Sequence, residues 1–324
     1  MTAVKGHPLK MLPSAIRILR NWTLPIAMVA GGIGYPFFQH LSSLLPYLIF
    51  AMLTVTFCKV TLSDIRITIL HLILLCIQIA GAIGVYYALH DFNVLVAEGA
   101  IICVMAPTAT SAAVITDKLG GSAASLTSFT LISNIGCAIT APALFPVIHP
   151  LGNEIGYWYA VLTIMQKVFP LLICPFLAAM LIRRFLPRLN SRISAFPDLA
   201  FYLWAITITI LMGRIIATII QNHDNLVLQL WIAAAALAIC CLQFSIGKLT
   251  GDRWHMRITG GQALGQKNTV FAIWLAHTYM TPVSAIGIGS YVVWQNIINS
   301  WQLWHHQKQI EAGNVNPALK EGQD

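Results

Sequence analysis

The sequence predicts an all-α membrane protein with ten transmembrane helices, arranged as two inverted five-helix repeats. Of its 324 residues, 57% are hydrophobic and only 9% are charged, whereas a soluble domain is about 25% charged. The mean hydropathy is +0.74, and apolar runs of about 20 residues, long enough to cross a bilayer as a helix, recur along the chain. Basic residues are unevenly divided among the loops between these runs. These observations exclude a soluble fold and make the lipid bilayer the main solvent.

The ten predicted spans are apolar segments bounded by charged residues, Pro, Gly or Asn. A linker at 149–155 separates the first repeat, 22–148, from the second, 156–304. An N-terminal segment, 1–21, and a tail, 305–324, lie outside the repeats, and the basic, amphipathic start predicts no cleaved signal peptide. The spans are 22–41, 44–62, 67–89, 94–118, 122–148, 156–182, 197–220, 226–247, 255–279 and 281–304.

Lysine and arginine residues predict the orientation, because cytoplasmic loops carry an excess of both. Of the 19 basic residues, 16 fall on the side shared by the two termini and none in the opposite loops. We therefore expect a multi-pass protein of the bacterial inner membrane with both termini in the cytoplasm. This topology accounts for the net charge of +8, so nucleic acid is not an expected partner. The seven cysteines lie in apolar runs without disulfide or metal-ligand spacing, so neither metal nor other cofactor is expected.

The other three basic residues lie in the interior of predicted spans, away from the cytoplasmic ends: Lys167, Arg214 and Lys267. Counting about 1.5 Å per residue from the span ends places both lysines near the middle of the bilayer. Arg214 is close enough to the outer end for its side chain to reach the interface. No acidic residue is expected at the depth of the lysines. Charged residues at this depth are costly and usually functional.

Two spans at equivalent positions of the halves contain helix-breaking segments. The fourth is interrupted between Met105 and Ala113, where Pro107 removes a backbone donor. The ninth is interrupted between Thr259 and Asn268. Single kinks are often only structural, but paired breaks in inverted halves are typical of secondary transporters, whose binding sites lie where unwound helices meet. The glycines of the second break are Gly260, Gly261 and Gly265.

At these residues the chain resembles the bile acid:sodium symporter family. "APTATSAAVIT" in the fourth span is similar to the family's Pro-Gly-Gly-Thr-Ala-Ser-Asn-Val-Met-Thr, and "ALGQKNTVFA" in the ninth to Glu-Val-Gly-Met-Gln-Asn-Ser-Gly-Leu-Ala. "VVWQNIINS" in the tenth is similar to Val-Trp-His-Asn-Ile-Ser-Gly-Ser. The resemblance covers nearly all of the chain. It implies a core domain and a panel domain, and alternating-access transport of an organic anion such as a bile acid, pantoate or another carboxylate.

The resemblance also shows where the chain departs from sodium-coupled members. Alanines replace a Ser-Asn pair and a glutamate of the sodium sites, and Lys267 replaces a glutamine. Sodium needs several oxygen ligands, and at ~6 Å, with an effective dielectric of about 20, a charged lysine would repel it by roughly 3 kcal/mol. We therefore expect Lys267 to replace the coupling cation, donating to unwound carbonyls, Gln78 and Thr130. Residues expected at the vestigial sodium sites or the crossing are Gln78, Ala112, Ala113, Thr130, Gln243, Ala263 and Gln266.

Four residues are expected to contact the substrate. Thr110 and Asn268 match substrate-contacting positions of the family, and Thr108 replaces a glycine beside them. Thr110 and Asn268 could also satisfy the interrupted backbone, a role compatible with substrate binding, and Thr108 would narrow or polarise the same spot. Lys167, which the resemblance places in the panel domain, is either the counter-charge of an anionic substrate or the partner of a carbonyl.

The mechanism stays open at this point. A permanently charged Lys267 predicts a sodium-independent uniporter or exchanger, whereas a Lys267 that releases its proton in each cycle predicts proton coupling. A non-transporting membrane sensor or binding protein is the alternative from another class. An enzyme is not expected, because no nucleophile lies at motif spacing from a base or metal ligand.

Overall fold

The structure is a computed structural model. It describes residues 14–59, 65–149, 155–196, 199–313 and 320–321. All regular secondary structure in these residues is helical, so the predicted all-α class is confirmed. Parts of the predicted N-terminal segment, second span, linker and tail lie outside the described residues.

Helices overlap every one of the ten predicted spans. Their bounds in chain order are α1 (Ser14–Ile33), α2 (Tyr35–Phe38), α3 (Leu45–Phe57), α4 (Ile69–His90), α5 (Val94–Met105), α6 (Ala112–Lys118), α7 (Ala123–Ile148), α8 (Tyr157–Phe185), α9 (Pro187–Ala195), α10 (Leu199–Gln221), α11 (Leu226–Asp252), α12 (Arg257–Gly265), α13 (Thr269–Tyr279) and α14 (Ala285–Glu311).

Six helical stretches of the described chain are long and apolar enough to cross a bilayer. They are Tyr35–Phe57, which includes α2 and α3, and the helices α4, α7, α8, α10 and α11. The protein is therefore a multi-pass membrane protein by helix length and composition. Ten crossings and the inverted repeat remain predictions.

Helical structure extends beyond the predicted spans at several places, and α1 begins at Ser14 within the predicted N-terminal segment. Helix α9 follows α8 after a single non-helical residue, Leu186, and begins at Pro187, because proline in the first turn loses no intrahelical hydrogen bond. Helix α14 continues to Glu311, although the tenth span was predicted to end at residue 304. Part of the predicted tail is therefore helical.

The helices form two sets, and the members of each set pack against one another. In one set, α1 packs against α10, and α3 packs against both α8 and α10. In the other set, α4 packs against α5, α11 packs against α12, and α14 contacts α5, α11 and α13. A continuous cluster of buried apolar side chains runs through both sets.

Glycines bring α11 and α12 into backbone contact. A Cβ atom on Gly260 would lie 2.3 Å from the carbonyl oxygen of Gly247, and one on Gly251 would lie 2.1 Å from that of Met256. Gly247 and Gly251 are four residues apart on one face of α11, the small-residue spacing that lets membrane helices approach closely. The glycines of α12 thus serve packing, because they remove side chains from between two backbones.

The interruptions are shorter than the sequence predicted. Helix α12 is continuous through Gly260 and Gly261, so the prediction that these two residues break the helix is wrong; Gly265 is its last residue. The break in the ninth span comprises residues 266–268, and the break in the fourth span comprises 106–111.

Candidate functional site: the crossing of the interrupted helices

The two interruptions meet and pair their backbones. The amide of Asn268 donates to the carbonyl oxygen of Pro107 at 2.7 Å, and the amide of Ala109 donates to that of Gln266 at 3.0 Å. The segments form a short antiparallel bridge. Backbone groups freed by one break are therefore partly satisfied by the other, as buried polar groups in a membrane require. We call this region, residues 106–111 and 266–268, the crossing.

Thr108 links the crossing to α12 and to α7 through hydrogen bonds. Its side chain is fully buried, and its hydroxyl donates to the carbonyl oxygen of Ala263 at 2.7 Å. Its amide donates to the hydroxyl of Ser133 on α7 at 3.1 Å. Because the Thr108 side chain is buried and already bonded to protein, the prediction that it contacts substrate does not fit this conformation.

Two glutamine side chains donate hydrogen bonds to carbonyl oxygens at the end of α5. The Gln78 side-chain amide on α4 donates to the carbonyl oxygens of Met105 and Ala106, at 2.9 Å each. The hydroxyl of Ser133 donates to the Gln78 amide oxygen at 3.1 Å. On α11, the Gln243 amide donates to the carbonyl oxygen of Cys103 at 3.1 Å. Both glutamines thus have the contacts expected of residues at the crossing.

Tyr291 on α14 links these groups to the second break. Its hydroxyl accepts a hydrogen bond from the Gln243 amide at 3.1 Å and donates to the carbonyl oxygen of Gly265 at 2.8 Å. The ring is fully buried. The last residue of α12 is therefore held by a side chain from α14 and, through Gln243, by α11.

Lys267 is the buried cation of the crossing. Its side chain is 1% exposed, and its ammonium donates to the carbonyl oxygen of Val104 at 2.8 Å. Val104 lies in the last turn of α5, where carbonyls lack intrahelical donors. The Lys267 amide donates to the Gln295 side chain at 3.0 Å. The ion pairs found among the described residues do not include Lys267.

The ammonium has other partners than the sequence predicted. It bonds a carbonyl in the last turn of α5, just before the unwound residues 106–111, and neither Gln78 nor Thr130. Gln78 already donates to two α5 carbonyls, and the Thr130 hydroxyl donates to the carbonyl oxygen of Leu126 in its own helix at 2.9 Å. The lysine reaches Val104 because the end of α5 leaves that oxygen free.

Most of the other predicted residues lie at or beside the crossing. Asn268 caps α13, since its side chain accepts from the Phe271 amide at 3.2 Å, and Thr110 is partly exposed. The side-chain oxygen of Gln266 is buried and has no partner among the described residues. The predicted positions that carry alanine are fully buried at Ala112 and Ala263 and partly buried at Ala113.

Lys167 does not lie at the crossing. It is on α8, and its side chain is exposed. A charged residue near the middle of a membrane helix normally faces protein or a water-filled cavity. Lys167, the predicted counter-charge for the substrate, therefore lies on the surface of α8, away from the crossing.

Sequence reasoning missed several polar residues that build the site. Ser133 and Gln295 bond groups of the crossing, and Tyr291 bonds Gly265, the residue just before it. The sequence signal for all three was a polar residue inside an apolar span. Glu98, also buried, accepts from the Thr281 amide at 3.1 Å and lies 3.2 Å from Nδ1 of His149. That carboxylate ties the start of α5 to the segment after α13.

The chemistry available at the crossing is recognition of charge. Lys267 supplies a buried cation, while glutamine amides, a tyrosine hydroxyl and backbone carbonyls supply neutral donors and acceptors. No group of three His, Cys, Asp or Glu residues in the described chain could hold a metal ion. Neither a family model nor a curated protein matches this sequence.

Proposed function

We propose that the protein is a secondary transporter for a small or amphipathic organic anion, working by alternating access without sodium. In this proposal Lys267 takes the place of the coupling cation. The observation that carries it is a buried ammonium where two interrupted helices exchange backbone hydrogen bonds. Such crossings of discontinuous helices form binding sites in secondary transporters.

The packing of the helices supports the proposed inverted repeat. If the first five spans correspond to the last five, the pair α1 and α10 corresponds to the pair α8 and α3. The pair α4 and α5 likewise corresponds to α11 and α12. All four pairs are in contact, as two inverted repeats would require of these pairs.

Electrostatics favours sodium independence. When Lys267 is protonated the charge at the crossing is positive, and no ion pair of the described residues neutralises it. A cation without a nearby carboxylate repels sodium and attracts an anion. The fully buried Ala112 and Ala263 supply no side-chain oxygen ligands.

An anionic substrate fits the remaining polar groups. Thr110 is partly exposed beside the crossing, and its hydroxyl can donate a hydrogen bond to an anion. Lys167 adds an exposed cation on α8. In the proposal, Lys167 attracts the substrate, and movement of the two helix sets brings the anion to the crossing.

The functional test begins with ligand identification. A thermal-shift screen of carboxylates, including bile acids and pantoate, identifies anions that bind the folded state, because such ligands raise the melting temperature. Uptake of the identified anion is then measured in proteoliposomes with sodium, proton and counter-substrate gradients imposed separately. We expect uptake without sodium. Strict sodium dependence would contradict the proposal, and stimulation by a proton gradient would assign the proton-coupled mechanism.

Lys267→Gln tests the lysine itself. The substitution removes the charge but keeps a polar group, so we expect uptake to fall by at least about tenfold, the effect of losing roughly 1.4 kcal/mol of interaction. The matched control is Lys308→Gln, because Lys308 is exposed on α14 and stacks on the Trp304 ring. Equal uptake by both variants, or saturable binding without any flux by the unmodified protein, would overturn the proposal.

A further inference from the structure

Lys320 and Glu321, which follow α14 in the chain, contact the ends of α6 and α12 that are predicted to face the cytoplasm. The carboxylate of Glu321 accepts hydrogen bonds from the amide of Ile258 at 2.6 Å and from that of Thr259 at 3.0 Å. The Thr259 hydroxyl donates to the same carboxylate at 2.9 Å. Three donors of the first turn of α12 thus converge on one carboxylate.

The same segment also contacts the other half-helix. The amide of Glu321 donates to the carbonyl oxygen of Gly120 at 2.9 Å, just after α6. The ammonium of Lys320 pairs with the carboxylate of Asp117 in α6. Lys320 and Glu321, the docked pair, therefore bridge the end of α6 and the start of α12.

Physical chemistry favours a carboxylate at this position. The amides in the first turn of a helix have no intrahelical acceptors, and the helix dipole stabilises a negative charge there. Hydrogen bonds to a charged acceptor are also stronger than neutral ones. Tethering raises the effective concentration of Glu321, so a modest contact can remain docked and still be released.

Helix α12 connects the docked pair to the buried cation. It is one uninterrupted helix from Arg257 to Gly265, and about eight residues of helix transmit a displacement over roughly 10 Å. Its far end carries the carbonyls of Ala263 and Gly265, which accept from Thr108 and Tyr291. A displacement of the first turn would therefore change the hydrogen bonds that these two carbonyl oxygens accept beside the crossing.

We propose that Glu321 is a releasable latch that holds the ends of α6 and α12 together and thereby keeps the crossing closed around Lys267. The binding site of the latch is a carboxylate site built from the Ile258 amide and the Thr259 amide and hydroxyl. Undocking of Glu321 frees the two half-helices to separate. This device does not depend on the proposed transport activity.

Hydrogen exchange measured by mass spectrometry tests the latch on the full chain in lipid nanodiscs. Glu321→Ala is compared with Glu311→Ala, a control on α14 whose carboxylate, among the described residues, accepts from exposed Gln307. The amides of Ile258 and Thr259 should exchange at least about tenfold faster in Glu321→Ala alone, because that carboxylate is their acceptor. The segments 106–111 and 266–268 should also exchange several-fold faster.

Two outcomes would overturn the latch. Unchanged exchange at Ile258 and Thr259 would mean that Glu321 does not dock. Faster exchange there, with the crossing unchanged, would make Glu321 a local helix cap. Asp117→Asn is the second variant: it removes the ion pair on α6 without touching α12, and the latch requires it to loosen the crossing in the same direction. Because no substrate is used, failure of the transport test leaves this result unaffected.

Discussion

At the residue scale, single buried polar groups hold the crossing together. Tyr291 is the clearest case, because one hydroxyl joins the Gln243 side chain to the Gly265 carbonyl. Lys267 is the most unusual, because its buried ammonium donates to one carbonyl oxygen of the described residues, that of Val104. The position of this lysine was predictable from sequence, but its partner was not, because the choice among several freed carbonyls depends on where α5 ends.

Tyr291→Phe should destabilise the protein. It leaves the Gly265 carbonyl and one Gln243 donor bond unsatisfied, at a cost of about 1–3 kcal/mol. Tyr202→Phe is the control, because Tyr202 is 61% exposed on α10, and surface changes usually stay within about 0.5 kcal/mol. Thermal unfolding of both variants in the same detergent measures the difference. Equal melting temperatures would show that the Tyr291 hydroxyl contributes nothing to stability.

At the element scale, helix existence was predictable and glycine function was not. Apolar runs and bounding residues placed a helix in each span, because these signals are local. Gly260 and Gly261 were interpreted as a break, since glycine weakens isolated helices. The structure uses them for contact with Gly247 and Gly251 instead, and packing against α11 compensates for their low helix propensity.

Gly260→Ala should destabilise the α11–α12 contact. The new methyl group would lie 2.3 Å from the Gly247 carbonyl oxygen, and overpacking of this kind costs about 1–3 kcal/mol. The matched control is Gly84→Ala in α4, where a Cβ atom meets nothing within 4 Å. The control should be neutral or stabilising by up to about 1 kcal/mol, because alanine favours helix. A lower melting temperature in the control than in Gly260→Ala would contradict this assignment.

At the scale of the whole molecule, the contacts agree with the predicted topology. The bonds among Glu98, His149 and Thr281 join segments predicted to face the outside. The bonds from Glu321 to Ile258 and Thr259 join segments predicted to face the cytoplasm. In the described structure, segments predicted to face the same side of the membrane contact each other, as expected from the distribution of basic residues.

Cysteine labelling tests the orientation. Asp91 follows α4 in a predicted outer loop, and Arg253 follows α11 in a predicted cytoplasmic loop; both side chains are exposed. A membrane-impermeant maleimide should label Asp91→Cys in intact cells, but Arg253→Cys only after lysis, because the reagent cannot cross the bilayer. The unmodified chain, with its own seven cysteines, gives the background. Labelling of both variants in intact cells would contradict the predicted topology.

Hydropathy, charge and proline or glycine content act locally along the chain, so they were enough to predict the membrane class and a helix in every span; the mid-bilayer depth of Lys267 stays a prediction. Which groups those residues contact became known only from the tertiary structure. Val104 became the partner of Lys267, Gly260 became a packing residue, and Glu321 reached α12 from beyond α14. Each of these depends on groups far apart in sequence, whose meeting is set by helix packing and by the need to satisfy every buried backbone group.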